Sequence, residues 1–112
     1  FDAVAASYAA EVNGLDALVI TKLDVLSGFE TIGLVTGYRR ADGTPCGIEA
    51  LGDADLLVEV EEHAGWPDDL RGVRRIADLP AAARAFVDRL AAVTGVPVAA
   101  VSVGPERSAL AV

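Results

Sequence analysis

The chain has no methionine, one tryptophan and one cysteine, and each scarcity narrows what it can be. Without flexible thioethers and with little aromatic bulk, a core has to be made from Val, Leu and Ile, with small side chains letting elements approach closely. The lone Cys46 excludes an internal disulfide framework and fits a reducing, cytoplasmic setting. No apolar run approaches the length of a membrane span, and the first residues lack the pattern of a signal peptide, so no membrane partner is expected. Basic residues are also scarce: 9 Lys and Arg face 17 Asp and Glu, a formal charge of −8. Nucleic acid is therefore not an expected partner, because binding it requires Lys and Arg to neutralise phosphates. The missing methionine at Phe1 leads us to expect a longer parent polypeptide.

What is present suits one domain, residues 1–112, with 53% apolar side chains available for a core. Phe1, Val4, Ala5, Tyr8, Ala9 and Val12 recur at helical spacing and Asn13-Gly14 supplies a stop. Ala17 to Ile20 is a short, β-branched apolar run, which predicts a strand covered on both faces. Thr31 to Tyr38 predicts a second strand, Asp42-Gly43 a hairpin turn, and Gly47 to Leu51 its return. Leu56 to Val60 predicts another strand, entering the acidic stretch Glu59 to Glu62, and Gly65 to Asp69 is loop. Asp78 can cap a helix with Pro80 in its first turn and a buried stripe of Ala83, Phe86, Val87, Leu90 and Val93 or Thr94. Gly95 ends that helix, and Val96 to Val103 is a second apolar strand. A helix feeding a buried strand is half of a βαβ unit, so the class is α/β, a mainly parallel sheet with flanking helices and an antiparallel hairpin.

Ligands of open α/β sheets bind beyond the carboxyl ends of the strands. There the first apolar strand delivers Thr21-Lys22-Leu23-Asp24 and the last delivers Ser102-Val103-Gly104-Pro105. An ionised carboxylate only accepts hydrogen bonds, and guanine offers two adjacent donors, N1–H and its exocyclic amine. Adenine presents an acceptor at N1, which an ionised Asp24 repels. The Lys22 stem can lie along a base with its ammonium in water. Gly104 lets a backbone N–H approach guanine O6, and Pro105 can close over the ring. Alone, Lys-x-Asp reads by default as a solvated strand end, and Ser-x-Gly-Pro as a turn and nothing more. Their pairing behind two apolar strands is what gives the guanine reading weight.

Other reactive side chains are more simply structural. His63 has no second His or Cys nearby and reads as a loop or surface histidine. Cys46 has no close basic neighbour to lower its pKa and reads as inert. Arg71, Arg74 and Arg75 can reach a phosphate but more simply balance Glu59 to Glu62 or Asp68-Asp69. Asp53, Asp55 and the glutamates lack the spacing of a calcium loop. No residue is assigned as catalytic or metal-ligating.

In order along the chain stand Val12-Asn13-Gly14-Leu15, Thr21 to Gly28, Val35 to Tyr38, Gly65-Trp66, Arg71 to Arg74, Asp78-Leu79-Pro80, Thr94 to Val98 and Ser102 to Arg107. This series resembles the C-terminal, guanine-binding part of adenylosuccinate synthetase. Signal-recognition-particle GTPases share Thr-Lys-Leu-Asp, but they continue with a Gly- and Lys-rich segment where Val25 to Glu30 stands here. The resemblance implies that Lys22, Leu23, Asp24, Ser102, Val103 and Gly104 bind the base of GTP, with Pro105 packing against it. It also implies a larger P-loop-like ligase fold, a homodimer, and GTP-driven joining of L-aspartate to inosine monophosphate (IMP) with Mg²⁺. Departures at Val60, at His63-Ala64 and from Ser108 onward lie outside the base-reading positions.

Phosphoryl transfer also needs a backbone cradle for phosphates and oxygen ligands for Mg²⁺. No G-x-x-x-x-G-K-[ST] loop occurs here. The resemblance places those parts upstream, with Mg²⁺ held by residues outside this chain, so the segment is expected to be inactive alone. The alternatives are a stand-alone, non-catalytic guanine-nucleotide-binding module and an α/β structural domain with vestigial motifs.

Overall fold

The computed structural model describes all residues from Phe1 to Val112. Helix α1 (Ala3–Asn13) starts on Asp2, whose Oδ1 accepts hydrogen bonds from the backbone N–H of Val4 (3.0 Å) and Ala5 (3.1 Å), and it ends at Gly14. Strand β1 (Leu18–Ile20) leads into a tight 3₁₀ turn, Leu23–Leu26. Strands β2 (Thr31–Arg39), β3 (Pro45–Cys46) and β4 (Leu57–Ala64) form one antiparallel sheet in the order β3-β2-β4. Helix α2 (Ala81–Thr94) then feeds β5 (Val98–Ser102), which pairs parallel with β1, and β6 (Leu110–Ala111) returns antiparallel along β5. The α/β class holds as a mixed arrangement rather than a mainly parallel sheet: β1 and β5 pair parallel, an isolated parallel bridge joins Asp2 to Val35, and the other strand pairs are antiparallel. No helix is long and apolar enough to cross a membrane.

The core runs between the two sheets and α2. Leu34, Trp66, Leu70, Phe86, Leu90, Val101 and Val103 are essentially inaccessible. Two aromatics hold its centre, with the Trp66 and Phe86 rings 6.1 Å apart, although Trp66 lies in a segment that reads as loop. Gly65 makes that placement possible: a Cβ there would stand 1.7 Å from the Phe29 carbonyl oxygen. The stripe expected on α2 is buried as Ala83, Phe86, Val87, Leu90 and Thr94.

Several expectations are corrected. The large apolar residues of α1 face outward: Phe1, Tyr8 and Val12 are exposed, whereas Ala3 and Ala10 are buried. The helix docks through its small residues, and Ser7 Oγ donates to Val93 O of α2 at 3.1 Å. Strand β1 is covered on one face only, with Ile20 buried and Val19 58% exposed, because no layer packs over its other face. The hairpin return is two residues long, and Ile48–Ala50 turns as 3₁₀ helix. The acidic stretch is not a strand exit but part of β4, paired along β2. Asp78 lies in its own 3₁₀ turn and does not cap α2, which starts after an extended Pro80. His63 is on β4, half-buried, with its ring edge-on to Phe86 at 5.7 Å.

Candidate functional site

The carboxyl ends of the parallel strands β1 and β5 lie side by side, with Ile20 opposite Val101. After β1 the chain turns sharply at Lys22, the only non-glycine residue with positive φ (59°). Such a conformation costs a non-glycine residue about 1–3 kcal/mol and is most often retained where it sets up function. Its effect here is to send the Leu23 side chain into the core while Asp24 stays half-buried at the surface. The turn is closed by Val25 N–H to Lys22 O (3.3 Å) and Ser27 N–H to Asp24 O (3.2 Å). The following loop is held to the core by Gly28 N–H to Trp66 O at 2.8 Å and Trp66 Nε1–H to Ser27 Oγ at 3.2 Å.

After β5, Ser102 Oγ donates to Gly104 O (3.2 Å), and Val103 N–H donates to Ala109 O (2.8 Å). Gly104 is buried in this turn and Pro105 is exposed. A Cβ on Gly104 would meet Ala109 Cβ at 3.0 Å and Glu106 Oε2 at 3.1 Å, so the turn is built around the absence of a side chain.

Lys22, Asp24, Gly104 and Pro105 line one concavity of about 290 Å³, together with Val25. The Leu23 and Val103 side chains belong to the core, so only their backbones face this edge. Ser102 is half-buried beneath it. Neither Lys22 nor Asp24 takes part in any of the chain's ion pairs. The arrangement therefore offers a carboxylate and an ammonium without ion-pair partners and a glycine turn around one open concavity.

A second cleft of about 360 Å³ adjoins the first through Asp24 and is lined also by Ser27, Gly28, Pro67, Asp69 and Arg71. Hydrogen bonds from the Arg71 side chain and backbone hold the Asp69 carboxyl at about 2. Sequence reasoning missed this cleft and Val25, since no motif links the loop around Asp69 to the β1 turn. No three His, Cys, Asp or Glu side chains gather as a metal site.

The adenylosuccinate synthetase family model matches residues 1–111. This chain belongs to the adenylosuccinate synthetase family. It is 47% identical over 112 residues to the adenylosuccinate synthetase of Parafrankia sp. and 43% identical to that of Pelotomaculum thermopropionicum, matching over 96% of its own length in each case. It spans about a quarter, 26%, of the length of these curated relatives. The fold matches that of the fully ligated adenylosuccinate synthetase from Plasmodium falciparum with a TM-score of 0.93 at 24% identity, covering 100% of this chain and 28% of that one. Two of the segments that carried the resemblance, Thr21 to Gly28 and Ser102 to Arg107, supply the residues that line the 290 Å³ concavity.

Proposed function

We propose that this chain is the C-terminal, guanine-reading part of an adenylosuccinate synthetase, a ligase that uses GTP to join L-aspartate to IMP. The observation that carries the reading is the convergence of Lys22, Asp24, Gly104 and Pro105 on one concavity from two segments far apart in sequence. Asp24 accepts hydrogen bonds from guanine N1–H and the exocyclic amine, and the Gly104 backbone N–H donates to O6. The Lys22 stem and the Pro105 ring cover the two faces of the base, with Leu23, Ser102 and Val103 supporting them through backbone and turn. An adenine in the same pose would set its N1 lone pair against the Asp24 carboxylate, so GTP is selected over ATP.

In the whole enzyme GTP phosphorylates the purine oxygen of IMP, and the aspartate amine displaces that phosphate. No glycine-rich phosphate loop occurs in this chain, and in this reading Mg²⁺, IMP and aspartate are held by other residues of the whole enzyme. Its own share is to bind and orient the nucleotide. The active form is a homodimer working in the cytoplasm.

The test is a hybrid enzyme in which these 112 residues replace their counterpart in a full-length relative. The hybrid is expected to make adenylosuccinate with GTP and not with ATP, while the isolated chain makes none. Turnover by the isolated chain, or a hybrid that uses ATP as readily as GTP, would contradict the proposal.

A further inference from the structure

Asp24 is shared by the base-facing concavity and the second cleft. Within that cleft Arg71 is the one cationic residue, and Asp24 and Asp69 line the same cleft. Its stem reaches the Gly104 turn, with Cγ 4.0 Å from where a Cβ on Gly104 would stand. A guanidinium so placed is a competitor for guanine, because both are planar donors that suit a carboxylate. Yet Arg71 is committed elsewhere. Its Nε donates to Asp69 Oδ1 (3.0 Å) and Oδ2 (3.1 Å), its Nη2 donates to Oδ2 (2.7 Å), and its backbone N–H donates to Oδ1 (3.0 Å). Asp69 thus uses both oxygens on one arginine, and Asp24 is left without an ionic partner. The charges of Asp24 and Glu106 still act on Arg71, adding to the stronger effect of Asp69 in holding it protonated.

We propose that Asp69 is a positioning residue for nucleotide selection, holding Arg71 away from Asp24 so that the Asp24 carboxylate is free for the two donors of guanine. The idea rests on the base-reading role of Asp24. Without Asp69, Arg71 turns to the next carboxylate lining the cleft, and GTP must displace it. An exposed ion pair that forms a few times more often than not leaves roughly a fifth of the molecules competent, so the apparent Kd for GTP rises roughly fivefold.

Equilibrium dialysis of GTP against the hybrid enzyme reads this without requiring turnover. Asp69→Ala is expected to weaken GTP binding roughly fivefold, Arg71→Ala to leave it unchanged or tighter, and the double variant to return to the parent value. Both side chains are largely exposed, 72% for Arg71 and 61% for Asp69, so the variants are expected to fold, and circular dichroism checks this. Rescue by the second substitution combined with unharmed binding in Arg71→Ala alone is the deciding result, since a pair needed for structure would weaken binding whichever half is removed. Unchanged binding in Asp69→Ala, or a double variant as weak as the single one, overturns the proposal. Asp24→Asn in the same hybrid separates the causes. If it changes the base preference while Asp69→Ala does nothing, only the role of Asp69 falls; if it leaves the preference unchanged, or the hybrid binds no GTP, both fall together.

Discussion

Gly104 shows how finely single residues set this edge. Ala109 Cβ and Glu106 Oε2 stand within 3.1 Å of the place a Cβ would take, and close-packed sites yield to added volume only by shifting. Gly104→Ala is therefore expected to cost about 1–3 kcal/mol of stability and to weaken GTP binding by displacing the turn, measured by urea midpoint and by dialysis. An alanine variant with parent stability and affinity would show that the turn has slack. The residues proposed to read the base could be singled out in the sequence because their chemistry is specific: a carboxylate two positions after a lysine, and a glycine before a proline. Val25 could not, and although the pairing of Arg71 with Asp69 could be anticipated from their spacing, its placement beside Asp24 could not, because that arises only when distant loops meet. The left-handed Lys22 was equally hidden, since nothing in its side chain calls for positive φ.

Among the elements, α2 and α1 respond in opposite ways to the same periodic pattern. The α2 stripe faces the core, and Phe86 and Leu90 are buried. Phe86→Ala is expected to cost about 3–5 kcal/mol and Leu90→Ala about 2–5 kcal/mol, and losses at the level of surface substitutions, about 0.5 kcal/mol, would contradict the packing. In α1 the periodicity identified a helix and the wrong face. A helix that docks through Ala3, Ser7 and Ala10 is held by close approach, which a pattern of large apolar residues cannot reveal. Strand β4 ran past its expected end because Glu61 and His63 pair with Leu34 and Ile32 of β2 and have partners of their own. Glu61 accepts hydrogen bonds from Arg89 of α2 at 2.8 and 2.9 Å and contacts His63 Nε2 at 2.6 Å. Arg89 first, then His63, holds the Glu61 carboxyl down to about 2 from the ordinary 4.5. A folded-state pKa below the unfolded one stabilises the ionised native state, fully so above about 4.5, and that contribution disappears as pH falls toward about 2. The stability difference between the parent and Glu61→Gln is therefore expected to shrink through that window in urea titrations. A difference that stays constant from pH 6 down to about 2 would show that the Arg89 pairing contributes no pH dependence.

For the whole molecule, the core is sound but incompletely covered. Phe1, Tyr8, Val12, Val19, Leu57, Val58 and Val60 are all large, apolar and exposed, and β1 and β4 are both sheet edges. Exposed apolar surface beside open edges favours association. The isolated chain is expected to show concentration-dependent self-association by light scattering, and a monodisperse monomer with a sharp cooperative melt would contradict this. The α/β class and the convergence of two strand ends could be anticipated from apolar runs and a helix between them. The division into two sheets could not, because strands as short as β3 and β6 carry no periodicity of their own. The central claim is that Asp24 reads guanine, and base preference in the hybrid enzyme tests it most directly. Asparagine at position 24 can accept from the N1–H of xanthine and donate to its O2, whereas toward guanine its amide sets donor against donor. Asp24→Asn is expected to lower GTP use roughly ten- to a hundredfold and to raise XTP use; parent-level use of GTP with no gain for XTP would contradict the account.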